Sequence, residues 1–210
     1  MKPGALVLVS GPLDRADHWQ QAGVELGDHD VVTPPSTADG PPYAVAWIAS
    51  LARPLHARRM RDPLVLIGHG TAGPLLPALA RTQRAGGRGV GGYVFVDAAL
   101  PRPGAPSFLD LLRAADADVA ESAHEALHAP GAGWPPDAPR PRGHDFWTEP
   151  LPAAPDWPDA PCAYVRTGSE VPGTGPTSFW ARSAHSRGWR VLEGADLSTL
   201  LADAVDALPG

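Results

Sequence analysis

The sequence predicts an α/β protein with three layers: a mostly parallel six-stranded sheet with helices on both faces. Short apolar runs alternate with helical patterns, the order that βαβ units impose. The strand-like runs are continuous rather than alternating, as expected where both sheet faces are covered. With 210 residues, 43% of them apolar, the chain is long enough for one domain with a full core.

In chain order, the strands are expected near Ala5–Ser10, Asp30–Thr33, Leu64–His69, Tyr93–Val96, Cys162–Thr167 and Arg190–Leu192. Each is a short run of apolar, often β-branched residues. Helices are expected near Asp17–Leu26, Tyr43–Arg59, Ala72–Arg84, Thr177–Arg187 and Leu197–Leu208. The segment from Pro101 to Pro161 departs from this alternation. Its first part, Ser107–Leu127, reads as helical; its second, Ala129–Pro161, is dense in proline and carries Trp134, Trp147, Trp157, Phe146 and His144. A long irregular stretch between two strands sits above the carboxyl ends where open α/β sheets bind ligands. Residues 101–161 are therefore expected to form a cap over a pocket; the alternative is a surface loop whose tryptophans pack on the body.

Composition excludes several functions. The net charge is −6 and no basic patch stands out, so nucleic acid is not an expected partner. No apolar run is long enough to cross a bilayer, and no charged region followed by an apolar one marks a signal peptide. The single cysteine, Cys162, cannot form an intrachain disulfide and reads as a small core residue at a strand start. A cytoplasmic location is the simplest expectation. Arginine supplies all the positive charge except Lys2, and with the many Ala, Gly and Pro residues this points to a GC-rich genome. The histidines show no close ligand spacing, so no metal is expected. The glycine run Gly86–Gly92 precedes a strand instead of following one. It is therefore no dinucleotide fingerprint and reads as a flexible loop, and no cofactor is expected.

The most informative stretch is Pro63-Leu64-Val65-Leu66-Ile67-Gly68-His69-Gly70-Thr71-Ala72-Gly73-Pro74. A β-branched run enters a Gly-rich turn and an Ala/Leu-rich helix follows, the strand–turn–helix setting of a nucleophile elbow. The resemblance extends along the chain, through Val9-Ser10-Gly11-Pro12-Leu13 with Trp19 shortly after and Gly68 to Pro77 at the elbow. It continues in Val96-Asp97-Ala98 with Leu100-Pro101, in Trp157-Pro158-Asp159-Ala160-Pro161-Cys162, and in Arg187-Gly188-Trp189. Together these motifs resemble those of small bacterial α/β-hydrolases and cover nearly all of the chain. Two positions depart from that pattern. Gly70 stands where the resemblance implies a nucleophilic serine, and Glu193-Gly194-Ala195-Asp196-Leu197 lacks the histidine expected after the last strand. A triad needs a nucleophile activated by an adjacent base, and here both are missing.

What the resemblance leaves is an oxyanion hole. The Thr71 N–H starts the elbow helix, where amides are unpaired and the helix dipole favours negative charge. Leu13 is the second donor, because Pro12 has no N–H. Such a hole stabilises an enolate as well as a tetrahedral intermediate. Asp97, Asp196 and His69 are the candidate proton-transfer groups. Asp97 stands where some α/β-hydrolases place the triad acid; its alternative role is to cap the following turn. Asp196 occupies the former histidine loop; its alternative role is the N-cap of the helix at Leu197. Should the two carboxylates meet, repulsion would raise one pKa and create a general acid. In the resembling proteins the histidine before the elbow packs beside the nucleophile strand; with no elbow side chain, His69 could reach the pocket. His18 and His144 are outside candidates. Ser10 and Thr71 carry hydroxyls near the site but have no obvious base. Leu13, Gly70, Thr71, Trp134 and Trp147 are the expected substrate-binding residues.

Three functions compete. The first is a cofactor-free, non-hydrolytic enzyme of bacterial natural-product metabolism, acting on a carbonyl-containing, partly aromatic or apolar small molecule by enolisation, elimination, cyclisation or carbon–carbon bond formation. The second is a pseudo-hydrolase that binds a small molecule or a protein without chemistry. The third is an esterase with a relocated nucleophile. Substrate identity and oligomeric state are open at this level.

Overall fold

The central strand pair explains the sheet. β1 (Ala5–Val9) and β3 (Leu64–His69) are apolar along most of their length, and both are buried apart from half-buried His69. They pair in parallel from Ala5 opposite Leu64 to Val9 opposite Gly68. The computed structural model describes residues 3–15, 17–21, 24–27, 29–36 and 39–209. Around the central pair lie β2 (Val31–Val32), β4 (Val90–Val96), β5 (Cys162–Arg166) and β6 (Arg190–Glu193), in the order β2-β1-β3-β4-β5-β6. Every described pair is parallel, so the expected mostly parallel sheet is parallel throughout.

Side chains alternate across the sheet with the period of two that strands impose. Val7, Val9, Leu66, Tyr93, Phe95 and Tyr164 face α2 (Tyr43–Ala57), α3 (Leu76–Ala85) and α7 (Thr177–Ser186). Leu6, Leu8, Val65, Ile67, Val94 and Val165 face α8 (Leu197–Asp206) and Trp19 of α1 (His18–Gln21). This is the three-layer arrangement the apolar runs predict.

Several elements differ in detail. The expected helix at Ala72–Arg84 begins as a 3₁₀ turn over Gly70–Leu75, and α3 follows it. The helix expected over Ser107–Leu127 is two helices, α4 (Phe108–Ala115) and α5 (Ala117–Ala126). Asp116, extended at φ −157, ends one and caps the other by accepting from Val119 N. Gly91 and Gly92 belong to β4 rather than to a loop; at Gly92 a side chain would run into Leu208. The helix expected over Asp17–Leu26 is represented by α1, with positions 22 and 23 outside the described residues.

The insertion between β4 and β5 carries α4, α5 and α6 (His144–Thr148). Its Phe108 and Phe146 rings stack at 4.9 Å, and Trp147 meets Trp134 edge-on at 4.8 Å. Trp147 is completely buried and donates its indole N–H to the Trp134 carbonyl at 3.0 Å. Glu149 ties the insertion to the body: its carboxylate accepts from the Tyr43 and Ala44 amides at 2.8 and 2.9 Å, satisfying the start of α2 where Pro42 offers no side-chain cap.

Candidate functional site

The carboxyl ends of β1, β3 and β4 converge on one point. β3 ends at His69, and Gly70 turns the chain with φ +56, a left-handed conformation that a glycine adopts without strain. A Cβ at Gly70 would lie 2.8 Å from Val171 Cγ1 and 3.7 and 3.9 Å from the two carboxylate oxygens of Asp14. The loop after β1 thus comes down directly over the elbow. Gly11 makes that approach possible, because a Cβ there would sit 3.0 Å from the Thr71 amide nitrogen.

Asp14 and His69 form a hydrogen-bonded pair, Oδ2 to Nδ1 at 2.8 Å, with side chains only 9% and 12% exposed. The Gly11 amide donates to the same Oδ2 at 2.6 Å. A carboxylate at Nδ1 keeps the proton on that nitrogen and leaves Nε2 as the variable atom. Burial opposes charge on His69, but the charge and hydrogen bond of Asp14 outweigh it and raise the imidazole pKa. His18 stacks on His69 with ring centroids 4.0 Å apart. Its own pKa is lowered, by burial first and then by His69. Trp19 meets both rings edge-on at 5.2 and 6.1 Å. One ligand-capable atom from each of Asp14, His18 and His69 lies within 4.8 Å of the others. That is a donor set of two imidazoles and a carboxylate, whereas sequence spacing gave no expectation of a metal.

The other expected residues fall into two groups. Leu13, Gly70 and Thr71 meet at the elbow, and the Leu13 amide faces Thr71 Oγ1 at 3.5 Å. Trp147 joins them, since it and Leu13 both pack against Gly173; Trp134 stands one layer behind, against Trp147. Asp97 ends β4 and is buried, but its carboxylate is occupied by Thr167, accepting from the amide at 3.0 Å and the hydroxyl at 2.6 Å. Its φ of +43 marks a constrained turn. Burial raises its pKa against the opposing effects of Thr167, His69 and Arg166. Asp196 lies elsewhere. Its carboxylate caps α8 by accepting from Ser198 N, Thr199 N and Thr199 Oγ1, and it is fully exposed. The Asp97 carboxylate is taken up by Thr167 and that of Asp196 by Ser198 and Thr199, so the two are not hydrogen-bonded to each other as an acid pair. Among the described residues, Asp14 is the functional candidate that sequence reasoning missed.

Strand order, the crossing after β3 and the position of the elbow are decisive together. The fold is that of the α/β-hydrolases. No family model and no curated protein matches the chain, but solved structures do. An extracellular α/β-hydrolase from a Paenibacillus species, described as sharing structural and functional homology with tobacco salicylic acid binding protein 2, aligns with TM-score 0.73 and 20% identity over 96% of this chain and 99% of its own. ClbQ from the colibactin NRPS/PKS pathway aligns with TM-score 0.59 and 12% identity over 98% of each chain. A tomato methylketone synthase I variant complexed with β-ketoheptanoate gives TM-score 0.55 and 12% identity over 98% and 95%. At these identities the likeness is one of fold. In the α/β-hydrolase fold of this chain, Gly70 occupies the turn between β3 and the elbow helix. Among the described residues no helix is long and apolar enough to cross a membrane.

Proposed function

We propose that this α/β-hydrolase-fold protein is a non-hydrolytic enzyme acting on a small carbonyl compound at the Gly70 elbow, without a covalent acyl intermediate. The observation that carries the reading is the buried Asp14–His69 pair built against a glycine at the place where this fold positions its reactive group. The pair replaces Asp97 and Asp196 as the proton-transfer group. His69 Nε2 gives or takes the proton while Asp14 holds the ring. The Thr71 amide at the helix start stabilises the developing oxyanion. Enolisation, elimination, cyclisation and carbon–carbon bond formation through an enolate can each use this combination without an elbow side chain. The insertion, with Trp147 and Trp134, serves as the cap, and its aromatic surface suits a partly apolar substrate. The solved neighbours from the colibactin pathway and with bound β-ketoheptanoate support a natural-product setting.

A second reading has its own observation. Val171 fills the space above Gly70, and the Leu13 amide is directed at Thr71 rather than left open, as in a protein that binds without chemistry. Substrate access therefore requires the 167–176 loop to move, and glycines at 168, 173 and 175, all at positive φ, supply its pivots.

The test is incubation with a panel of β-keto acids and their thioesters, followed by mass spectrometry. Conversion by the wild type should fall at least about 100-fold in Asp14→Asn and His69→Gln, with near-ultraviolet circular dichroism unchanged. Retention of a compound without a product supports the binding protein instead. Covalent labelling by a fluorophosphonate would overturn both and indicate a relocated nucleophile; none is expected.

A further inference from the structure

We propose that Asp14, His18 and His69 together hold a divalent transition-metal ion, zinc by donor preference, over the Gly70 turn. Two imidazoles and a carboxylate form the donor set of three-ligand zinc sites that keep one position open. Asp14 and His18 come from the segment after β1 and His69 from the end of β3, neighbouring strands whose register fixes their ends together. The ligand-capable atoms already lie within 4.8 Å of one another. Tetrahedral binding at ~2.0–2.2 Å brings such atoms to about 3.3 Å apart. Binding would therefore turn the two imidazoles out of their stack so that their in-plane lone pairs converge, and the Asp14–His69 hydrogen bond would give way to two coordination bonds.

The independent observation is His18 Nε2. It is buried and has no hydrogen-bond partner, although buried polar atoms are almost always satisfied. A metal ion supplies that partner. The supports around the ligands are those that orient metal sites. The Gly11 amide holds Asp14 Oδ2, and Trp19 braces both imidazole rings. The Gly70 turn lies beside the Asp14 carboxylate, and a substrate reaching the ion there would have to displace Val171. A substrate carbonyl oxygen there would be polarised by the ion. This role rests on the elbow being the reactive centre; the binding does not. With an ion bound, Lewis-acid polarisation would stand in place of proton transfer by His69.

The experiment uses the intact protein after dialysis against a chelator, titrated by calorimetry with zinc and, for its visible ligand-field spectrum, with cobalt(II). One equivalent is expected to bind, with tetrahedral cobalt absorption and a rise in melting temperature. His18→Gln, at a half-buried position, should weaken binding tenfold or more and abolish the cobalt spectrum. His128→Gln, whose ring lies in the insertion against His124 and His144, should change neither. No saturable uptake, or uptake unchanged in His18→Gln, overturns the inference. Turnover assays on chelated and zinc-loaded protein separate it from the functional reading. Turnover without metal uptake removes the ion and keeps the proton-transfer pair. Uptake without turnover keeps the ion and removes the enzyme.

Discussion

Single residues decide what this elbow can do. At φ +56, with Val171 Cγ1 within 2.8 Å of the missing Cβ, Gly70 is both relaxed and space-limited. A serine there would be strained and would displace Val171. Gly70→Ser should therefore destabilise the fold by about 1–3 kcal/mol, read as a lower melting temperature; an equal or higher value would contradict this account. Asp97 is the counterpart. It is buried, at positive φ, and takes two hydrogen bonds from Thr167. Asp97→Ala leaves those donors unmatched and should cost about 1–3 kcal/mol. Asp97→Asn, which tolerates the left-handed turn, should cost less. Denaturant midpoints of the two variants give the comparison. The glycine at the elbow was legible from strand–turn–helix context, but Asp14 was not. It sits in no motif, and its partner His69 is 55 residues away. The nearest signal was a carboxylate in the loop after the first strand, four residues before His18.

Elements show where pattern reading works and where local chemistry overrides it. The apolar runs of β1, β3 and β5 are legible because both faces of each strand are covered, so the strand needs no alternation. The break between α4 and α5 was missed because apolar periodicity continues through Asp116, whereas capping chemistry stops the helix there. α4 begins with a reciprocal capping box. Ser107 Oγ accepts from Asp110 N at 3.1 Å, and Asp110 Oδ2 accepts from Ser107 N at 2.9 Å. Removing the cap with Ser107→Ala should cost about 1 kcal/mol. The Ser107 amide and, at 2.8 Å, the Ser107 hydroxyl both donate to the Asp110 carboxylate, and in that order they lower its pKa. A depressed carboxylate stabilises the fold above its unfolded value, about 3.9, and that stability is lost as pH falls through the folded pKa. Asp110→Asn should accordingly flatten the acid side of the melting-temperature profile and be less stable than wild type at neutral pH. An unchanged acid limb would show that the box is open in solution.

At the scale of the molecule, the elbow is closed by three segments far apart in sequence. Leu13 comes from the loop after β1, Trp147 from α6, and Val171 and Gly173 from the loop between β5 and α7. The order of strands and helices was readable from composition and periodicity, but this closure was not, because it depends on how a proline-rich insertion settles after the sheet exists. Trp147 is its keystone: no part of it is exposed, it packs on Leu13's neighbour Gly173, and its indole N–H is bonded within the insertion. Glu149, two residues on, fastens the same helix to the start of α2. The insertion and the sheet should then unfold together. Denaturation followed by tryptophan fluorescence and by far-ultraviolet circular dichroism should give coincident transitions. Trp147→Ala should cost about 3–5 kcal/mol, and Trp147→Phe less. If the cap is also the route to the elbow, Trp147→Ala should in addition speed limited proteolysis within residues 129–161 before the sheet is cut. A variant that loses stability with no early cleavage there would mean that the insertion stays packed until the whole molecule opens, and access to the elbow would then fall to the 167–176 loop alone.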